Sequence, residues 1–228
     1  TKANIIVTIS NFVASQLEQF FDVRGKRVEM IYNGVEKIVD NSASKLCGSN
    51  DIKSPFFLSI SACRPSKNFH ILLDMMKLMP DKNLYLVGND NNEYGRMLRQ
   101  RIEDEAITNV HLTGKVSEEE KVWFYANCEA FLFPSSFEGF GLPVIEAMQF
   151  GKPVFSSSQT SLAEIGGNCA YFWDSLEPQA MKKLIDEKLT RFYENPQYAA
   201  EEKRYADTFS YKRHFDAYDR LYSTILNK

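Results

Sequence analysis

The strongest constraint on this chain is a repeated alternation in its sequence. Short apolar runs rich in Val, Ile, Phe and Tyr give way to longer stretches whose apolar residues recur every three or four positions. Ile5–Ile9, Val28–Tyr32, Phe56–Ser61, Leu84–Val87, Val110–Leu112, Ala130–Phe133, Val154–Ser156 and Ala170–Phe172 have strand character. Helical spacing predicts helices over Phe12–Phe21, Asn68–Met79, Glu93–Glu105, Ser117 to about Ala126, and Pro143–Phe150. From Pro178 onward nearly everything is helical, with a break at Asn195-Pro196 and a new cap at Ser210. The punctuation agrees. Ser10 or Asn11 can cap the first helix, Ser117 with Glu120 forms a capping box, and Asn33-Gly34 is a turn. Pro143 opens a helix that Gly151 closes.

Such alternation builds right-handed βαβ units, hence a parallel sheet covered on both faces. The expected class is α/β, a Rossmann-like doubly wound parallel sheet. Ligands of such sheets sit beyond the carboxyl ends of the strands, where the strand order reverses. Chemistry is therefore to be sought in the loops that follow strands. Residues 36–54 are polar and aperiodic, which makes them the best linker and divides the chain into 1–50 and 51–228. The chain begins at Thr1 and enters a strand almost at once, which reads as a piece of something longer.

Composition removes several alternatives. The 27 basic and 30 acidic residues give a net charge of −3, without a basic tail or stripe, so nucleic acid is not an expected partner. No apolar run approaches the ~18 residues of a membrane span, and no signal-peptide pattern is present. Cys47, Cys63, Cys128 and Cys169 are scattered without a CxxC pair, and His70, His111 and His214 lie far apart. Neither set has ligand spacing, so no metal or cofactor is expected, and a reducing cytoplasmic setting fits the thiols.

Three post-strand loops carry candidate chemistry. Ala62-Cys63-Arg64-Pro65-Ser66-Lys67-Asn68 brings two cations to a strand–helix junction, where free helix amides already favour an anion; Arg64 and Lys67 could clamp a pyrophosphate. Thr113-Gly114-Lys115-Val116-Ser117 has a glycine that admits a flat ligand close to the backbone. The third loop, Pro134 to Glu146, is the informative one. A glycine-rich turn leads into a helix, with Glu138 before the turn and Glu146 in the helix's first turns. Helical side chains lean toward the N-terminus, so Glu146 can reach the space faced by Gly139, Gly141 and the first amides. Donors for an anion beside acceptors for hydroxyls suit a phosphorylated sugar. Either acid alone is accounted for by the helix dipole, worth about 0.3–1 kcal/mol. Gly139-Phe140-Gly141 lacks the third glycine of a dinucleotide fingerprint, and GxxxxGK is absent.

The run from Phe137 through Met148 resembles the E-x7-E signature of retaining GT-B glycosyltransferases, in particular family 4. Gly151-Lys152-Pro153-Val154, Ser161-Leu162-Ala163-Glu164-Ile165, Val110-His111-Leu112-Thr113-Gly114, Ile31-Tyr32-Asn33-Gly34-Val35 and Pro65-Ser66-Lys67-Asn68 extend the likeness in order along the chain. The resemblance implies a nucleotide-sugar donor domain, the C-terminal half of a GT-B fold. It gives Glu146 the ribose hydroxyls and sets Glu138 over the transferred sugar. Amides across Phe140–Leu142 hold sugar and phosphate, with Val144 nearby. Lys67 neutralises the departing diphosphate, and the backbone at Lys115 and Val116 meets the base. Ser61-Ala62 stands where the family carries Gly-Arg, so Arg64 is the candidate replacement for the phosphate arginine.

Residues 1–50 correspond to the end of the acceptor domain plus linker, and 51–228 to the donor domain with the C-terminal helices. The implied activity is hexosyl transfer with retention from a UDP- or GDP-sugar to a glycan or lipid-linked acceptor, in bacterial surface polysaccharide such as O-antigen, capsule or lipopolysaccharide. The implied setting is cytoplasmic and admits peripheral association at the inner face of the plasma membrane. Without the acceptor domain, the chain is expected to bind donor and transfer little. A sugar-nucleotide epimerase of similar architecture and a non-catalytic nucleotide-sugar-binding domain are the rival readings.

Overall fold

The computed structural model describes residues 3–38 and 52–226. Two parallel strands, β1 (Ile5–Thr8) and β2 (Arg27–Met30), flank helix α1 (Asn11–Phe20) and pair with each other alone, from Ile5 opposite Arg27 to Thr8 opposite Met30. Ser10 caps α1 by accepting from the Val13 amide at 3.2 Å. Most of the 36–54 linker expected from sequence lies outside the described residues, as does Cys47.

The remaining strands form one six-stranded sheet. In chain order they are β3 (Phe56–Ile60), β4 (Asn83–Val87), β5 (Val110–Gly114), β6 (Ala130–Phe133), β7 (Val154–Ser157) and β8 (Ala170–Trp173). Their spatial order is β5-β4-β3-β6-β7-β8, all parallel, as the doubly wound reading requires. The chain builds outward from β3 through β4 to β5, then returns across the sheet to start β6. The switch point therefore lies between β3 and β6.

Alternation within the strands fixes two cores. Phe56, Leu58, Ile60, Phe131, Phe133 and Val154 face one layer, which holds α4 (Glu118–Asn127), α5 (Leu142–Gln149), α6 (Leu162–Gly166) and α8 (Pro196–Ala206). Phe57, Leu84, Leu86, Leu132 and Phe155 face the other, against α2 (Phe69–Lys77), α3 (Glu93–Asp104) and α7 (Pro178–Glu194). Residues of β3, β6 and β7 are buried throughout, as expected of strands covered on both faces. Helix α9 (Tyr211–Leu226) returns beside the segment after β2, where the Val35 amide donates to the Phe209 carbonyl and the Tyr32 carbonyl meets His214 Nδ1 at 2.7 Å. No described helix is long and apolar enough to cross a membrane.

Most element ends match the sequence reading within a residue or two; two differences matter for the site. The helix expected to start at Asn68 begins at Phe69. Asn68 is left-handed (φ 55°, ψ 32°) and follows a 3-10 turn over Pro65–Lys67. The sequence pattern does not mark helix α6, because five residues are too few to display a period.

Candidate functional site

At the switch point two loops are stitched together by backbone carbonyls. Ser66 O accepts from the Ser136 amide at 2.8 Å and from the hydroxyls of Ser136 and Ser135 at 3.1 and 3.2 Å. Asn68 Nδ2 donates to Pro134 O at 2.9 Å, a bond that the left-handed conformation of Asn68 accompanies. The β3 and β6 loops thus behave as one unit. Lys67 reaches across it: its Nζ lies 2.5 Å from Glu138 Oε1 and 5.8 Å from the centre of the Phe133 ring. Both side chains are mostly shielded, 15% and 14% exposed, so the pair interacts with little screening by solvent.

The glycine turn is held by its carbonyls. Ser161 Oγ lies 3.0 and 2.9 Å from Glu138 O and Phe140 O, with its one proton shared between them, and Ser10 Oγ donates to Gly139 O at 2.8 Å. Thr160 Oγ1 accepts the Glu138 amide at 3.0 Å. In a trans peptide the N–H points opposite the C=O. Tying down these three carbonyls therefore aims the amides of Gly139, Phe140 and Gly141 away from their anchors, and with Leu142 they find no partner among the described residues. Gly141 adopts φ +113°, and a Cβ there would sit 2.8 Å from Leu162 Cδ2. Only glycine meets both demands.

One sequence expectation in this turn needs correction. Val144 is fully buried in the core and its amide donates to Gly141 O at 3.0 Å, so neither its side chain nor its N–H is available to a ligand. Its position within the first turn of α5 puts it on the core-facing side. The Phe140 ring is buried against Tyr32 and Phe209, which leaves only its backbone facing the turn, in keeping with the backbone role the resemblance implies. Leu142, by contrast, is 40% exposed at the head of α5.

Glu146 lies one helical turn past the free amides, with its side chain 18% exposed. The Tyr125 hydroxyl donates to Oε2 at 2.8 Å, and Lys121 Nζ stands 3.5 Å from Oε1 while also pairing with Glu118 at 2.8 Å. Burial pushes the Tyr125 phenol well above its ordinary pKa, and the neighbouring Glu146 carboxylate adds to this, so Tyr125 remains a donor. Burial pulls the Lys121 ammonium down, but Glu118 and Glu146 outweigh it and the net shift is upward.

The flanking loops are tied to the same unit. Gly88 packs so closely that a Cβ would fall 1.8 Å from Ser61 O, and its amide donates to Gly114 O at 3.0 Å. Gly114 is left-handed (φ +75°), Lys115 is exposed, and Val116 packs partly on the core. They stand at the edge strand β5, two strands or about 10 Å from β3. Arg64 is exposed, and its side chain bonds no described residue; only its carbonyl is engaged, accepting the Lys67 amide at 2.9 Å. It is not drawn into the Lys67–Glu138 pair. No described cluster of three or more His, Cys, Asp or Glu could hold a metal ion.

Sequence reasoning missed Tyr125, Lys121, Thr160, Ser161 and the second role of Ser10. Capping makes Ser10 visible in sequence, but its bond to Gly139 crosses from α1 to the glycine turn. Glu164, on α6, likewise accepts from the Asn11 and Phe12 amides and from Tyr32 OH at 2.9, 3.2 and 2.9 Å, fixing the N-terminal segment against the site.

The family model for glycosyl transferases group 1 matches residues 48–207. The chain belongs to that family. It is 25% identical over 209 residues to the serotype-specific mannosyltransferase WbdA of Escherichia coli, covering 83% of this chain and 25% of that protein. To the O-antigen chain mannosyltransferase RfbU of Salmonella typhimurium it is 29% identical over 181 residues, covering 79% of this chain and 49% of the relative. The chain thus spans between a quarter and about half of these family members. Among solved structures, sucrose-phosphate synthase from Thermosynechococcus elongatus superposes with a TM-score of 0.84 at 19% identity, covering 99% of this chain and 59% of the other. Anabaena HepE in complex with UDP and glucose gives 0.83 at 22%, covering 97% and 64%. The sheet is accordingly that of a Rossmann-like domain of the GT-B glycosyltransferases.

Proposed function

We propose that this chain is the nucleotide-sugar-binding part of a retaining glycosyltransferase of family 4 type, which moves a hexose onto a glycan or lipid-linked acceptor in bacterial surface polysaccharide synthesis. The convergence at the switch point carries the reading: a shielded Lys67–Glu138 pair, unpartnered amides over Gly139–Leu142, and the Glu146 carboxylate one turn deeper. The mannosyltransferase relatives favour mannose as the sugar, and HepE with UDP and glucose favours a nucleoside diphosphate leaving group. No metal is invoked, because a lysine and helix amides suffice to receive a diphosphate.

The roles follow from charge. In the transfer, the bond between the sugar anomeric carbon and the diphosphate oxygen breaks, and a bond to the acceptor oxygen forms on the same face. The acceptor proton leaves with the diphosphate. Negative charge grows on the leaving oxygen, where the Lys67 ammonium and the turn amides stabilise it most because they are already oriented. Glu138 holds Lys67 and lies beside the sugar, where a carboxylate steadies positive charge developing at the anomeric carbon. Glu146 accepts from the ribose hydroxyls, and the backbone at Lys115 and Val116 lies against the base. Arg64, unattached to any described residue, is free to turn toward the phosphates. On this reading residues 1–50 are the end of an acceptor domain plus linker, and 51–228 are the donor domain with the C-terminal helices.

Titration calorimetry with UDP, GDP and their hexose conjugates tests this. A charge-assisted hydrogen bond is worth about 1.5–3 kcal/mol, so Glu146→Ala weakens binding about 10- to 100-fold. Unchanged affinity removes Glu146 from the site, and failure to bind any nucleotide sugar overturns the reading.

A further inference from the structure

Glu146 does not stand alone. Its carboxylate is gripped from α4 by two side chains one helical turn apart, Lys121 and Tyr125. We propose that Tyr125 and Lys121 are positioning residues, which hold the Glu146 carboxylate so that it presents one free lone pair on each oxygen to a vicinal diol. This inference rests on the nucleotide-binding reading above.

The Tyr125 ring is fully buried. It stacks on Phe150 with ring centres 5.8 Å apart and an interplanar angle of 13°, and it leans on Phe131 at 5.6 Å. Packing on both rings sets the plane of the phenol, so its hydroxyl has one direction in which to donate. A buried hydroxyl without an acceptor is costly, and Glu146 Oε2 at 2.8 Å is the acceptor it has. Direction passes from the ring packing to the hydroxyl and on to the carboxylate plane. Lys121 fixes the other oxygen. Its Nζ is shared between Glu118 at 2.8 Å and Glu146 Oε1 at 3.5 Å, and its side chain is 22% exposed.

An ionised carboxylate offers about four acceptor positions, two on each oxygen. Tyr125 takes one on Oε2, and the Lys121 ammonium, an ion-pair partner at 3.5 Å, occupies one side of Oε1. The two that remain lie on different oxygens of one fixed plane, which is the pairing that neighbouring 2′- and 3′-hydroxyls need. A carboxylate free to rotate would have to be ordered when the ligand arrives, and that entropy would be subtracted from the affinity. The ligand class this arrangement selects is therefore a ribonucleoside diphosphate rather than one lacking the diol.

Tyr125→Phe tests the inference because it keeps the ring and deletes only the donor. Calorimetry compares UDP and GDP with their 2′,3′-dideoxy counterparts. The expected result is about tenfold weaker binding of the ribonucleotides, with the dideoxy compounds unaffected within about twofold. Lys121→Met, which alters a partly exposed side chain, gives the same selective pattern at about two- to fivefold. It keeps the test decisive should Tyr125→Phe fold poorly. Equal losses for both ligand classes mean that the contact is merely structural and overturn the inference. So does an unchanged ribonucleotide affinity in a protein whose Glu146→Ala form binds weakly. If Glu146→Ala itself binds ribonucleotides as well as the wild type, the nucleotide reading fails and this inference fails with it.

Discussion

Replacing Lys67 by alanine isolates the side chain to which the proposed function assigns leaving-group stabilisation. In the free protein the Lys67 ammonium is 2.5 Å from Glu138 and largely shielded, with the Phe133 ring beneath it. On the proposed function, a diphosphate arriving beside the glycine turn would compete with Glu138 for the same cation. A charged hydrogen bond contributes about 1.5–3 kcal/mol, so its loss corresponds to about 10- to 150-fold in affinity. A nucleoside without phosphates makes no use of the ammonium and keeps its affinity. The assay is paired calorimetry of UDP against uridine and GDP against guanosine, on wild type and Lys67→Ala, with thermal melts to confirm folding. Binding by the diphosphate should fall and should also become less sensitive to salt, because one fixed charge has gone. Equal losses for nucleoside and diphosphate would refute the clamp. They would place Lys67 in the scaffold that joins the β3 and β6 loops instead.

Two further perturbations probe the frame. Gly141→Ala forces a Cβ into a left-handed residue and against Leu162, at a cost of about 1–3 kcal/mol that a chemical melt reads directly; a variant as stable as wild type contradicts the packing described. Glu202, on α8, is 2% exposed, and among the described residues neither carboxylate oxygen has a partner in hydrogen-bonding geometry. Burial holds its carboxyl well above the ordinary value of 4.5, against the weaker pull of the Val154 backbone amide. A raised folded pKa gives stability that is complete below the unfolded value and is lost as pH climbs through the folded one. Glu202→Met should therefore gain on wild type by about 1–3 kcal/mol as pH rises from about 4 to 8. A pH-independent gap between the two proteins would sink that account.

Much of this architecture is written in local sequence. The strands of the large sheet, the capping box of Ser117 and Glu120, the proline-led start of α5 and the Asn195-Pro196 break each depend on residues within a few positions of one another. Gly141 was legible for the same reason, since a left-handed turn before a helix is a local demand. Parallel order followed from alternation, and with it the expectation that ligand chemistry lies in the loops that follow strands; that β3 and β6 flank the switch point came only with the strand order.

What sequence could not give is anything decided across the sheet. Lys67 meets Glu138, 71 positions away, because β3 and β6 are neighbours and Ser66 and Asn68 bind one loop to the other. Val144 has the same spacing from the turn as a ligand contact would, yet it faces the core, because α5 must bury one side. Tyr125 read as one more aromatic of the interior. Only the packing of α4 on α5 turned its hydroxyl onto Glu146, since hydrogen-bond partners are selected by distance in space and helical periodicity records only which face is buried.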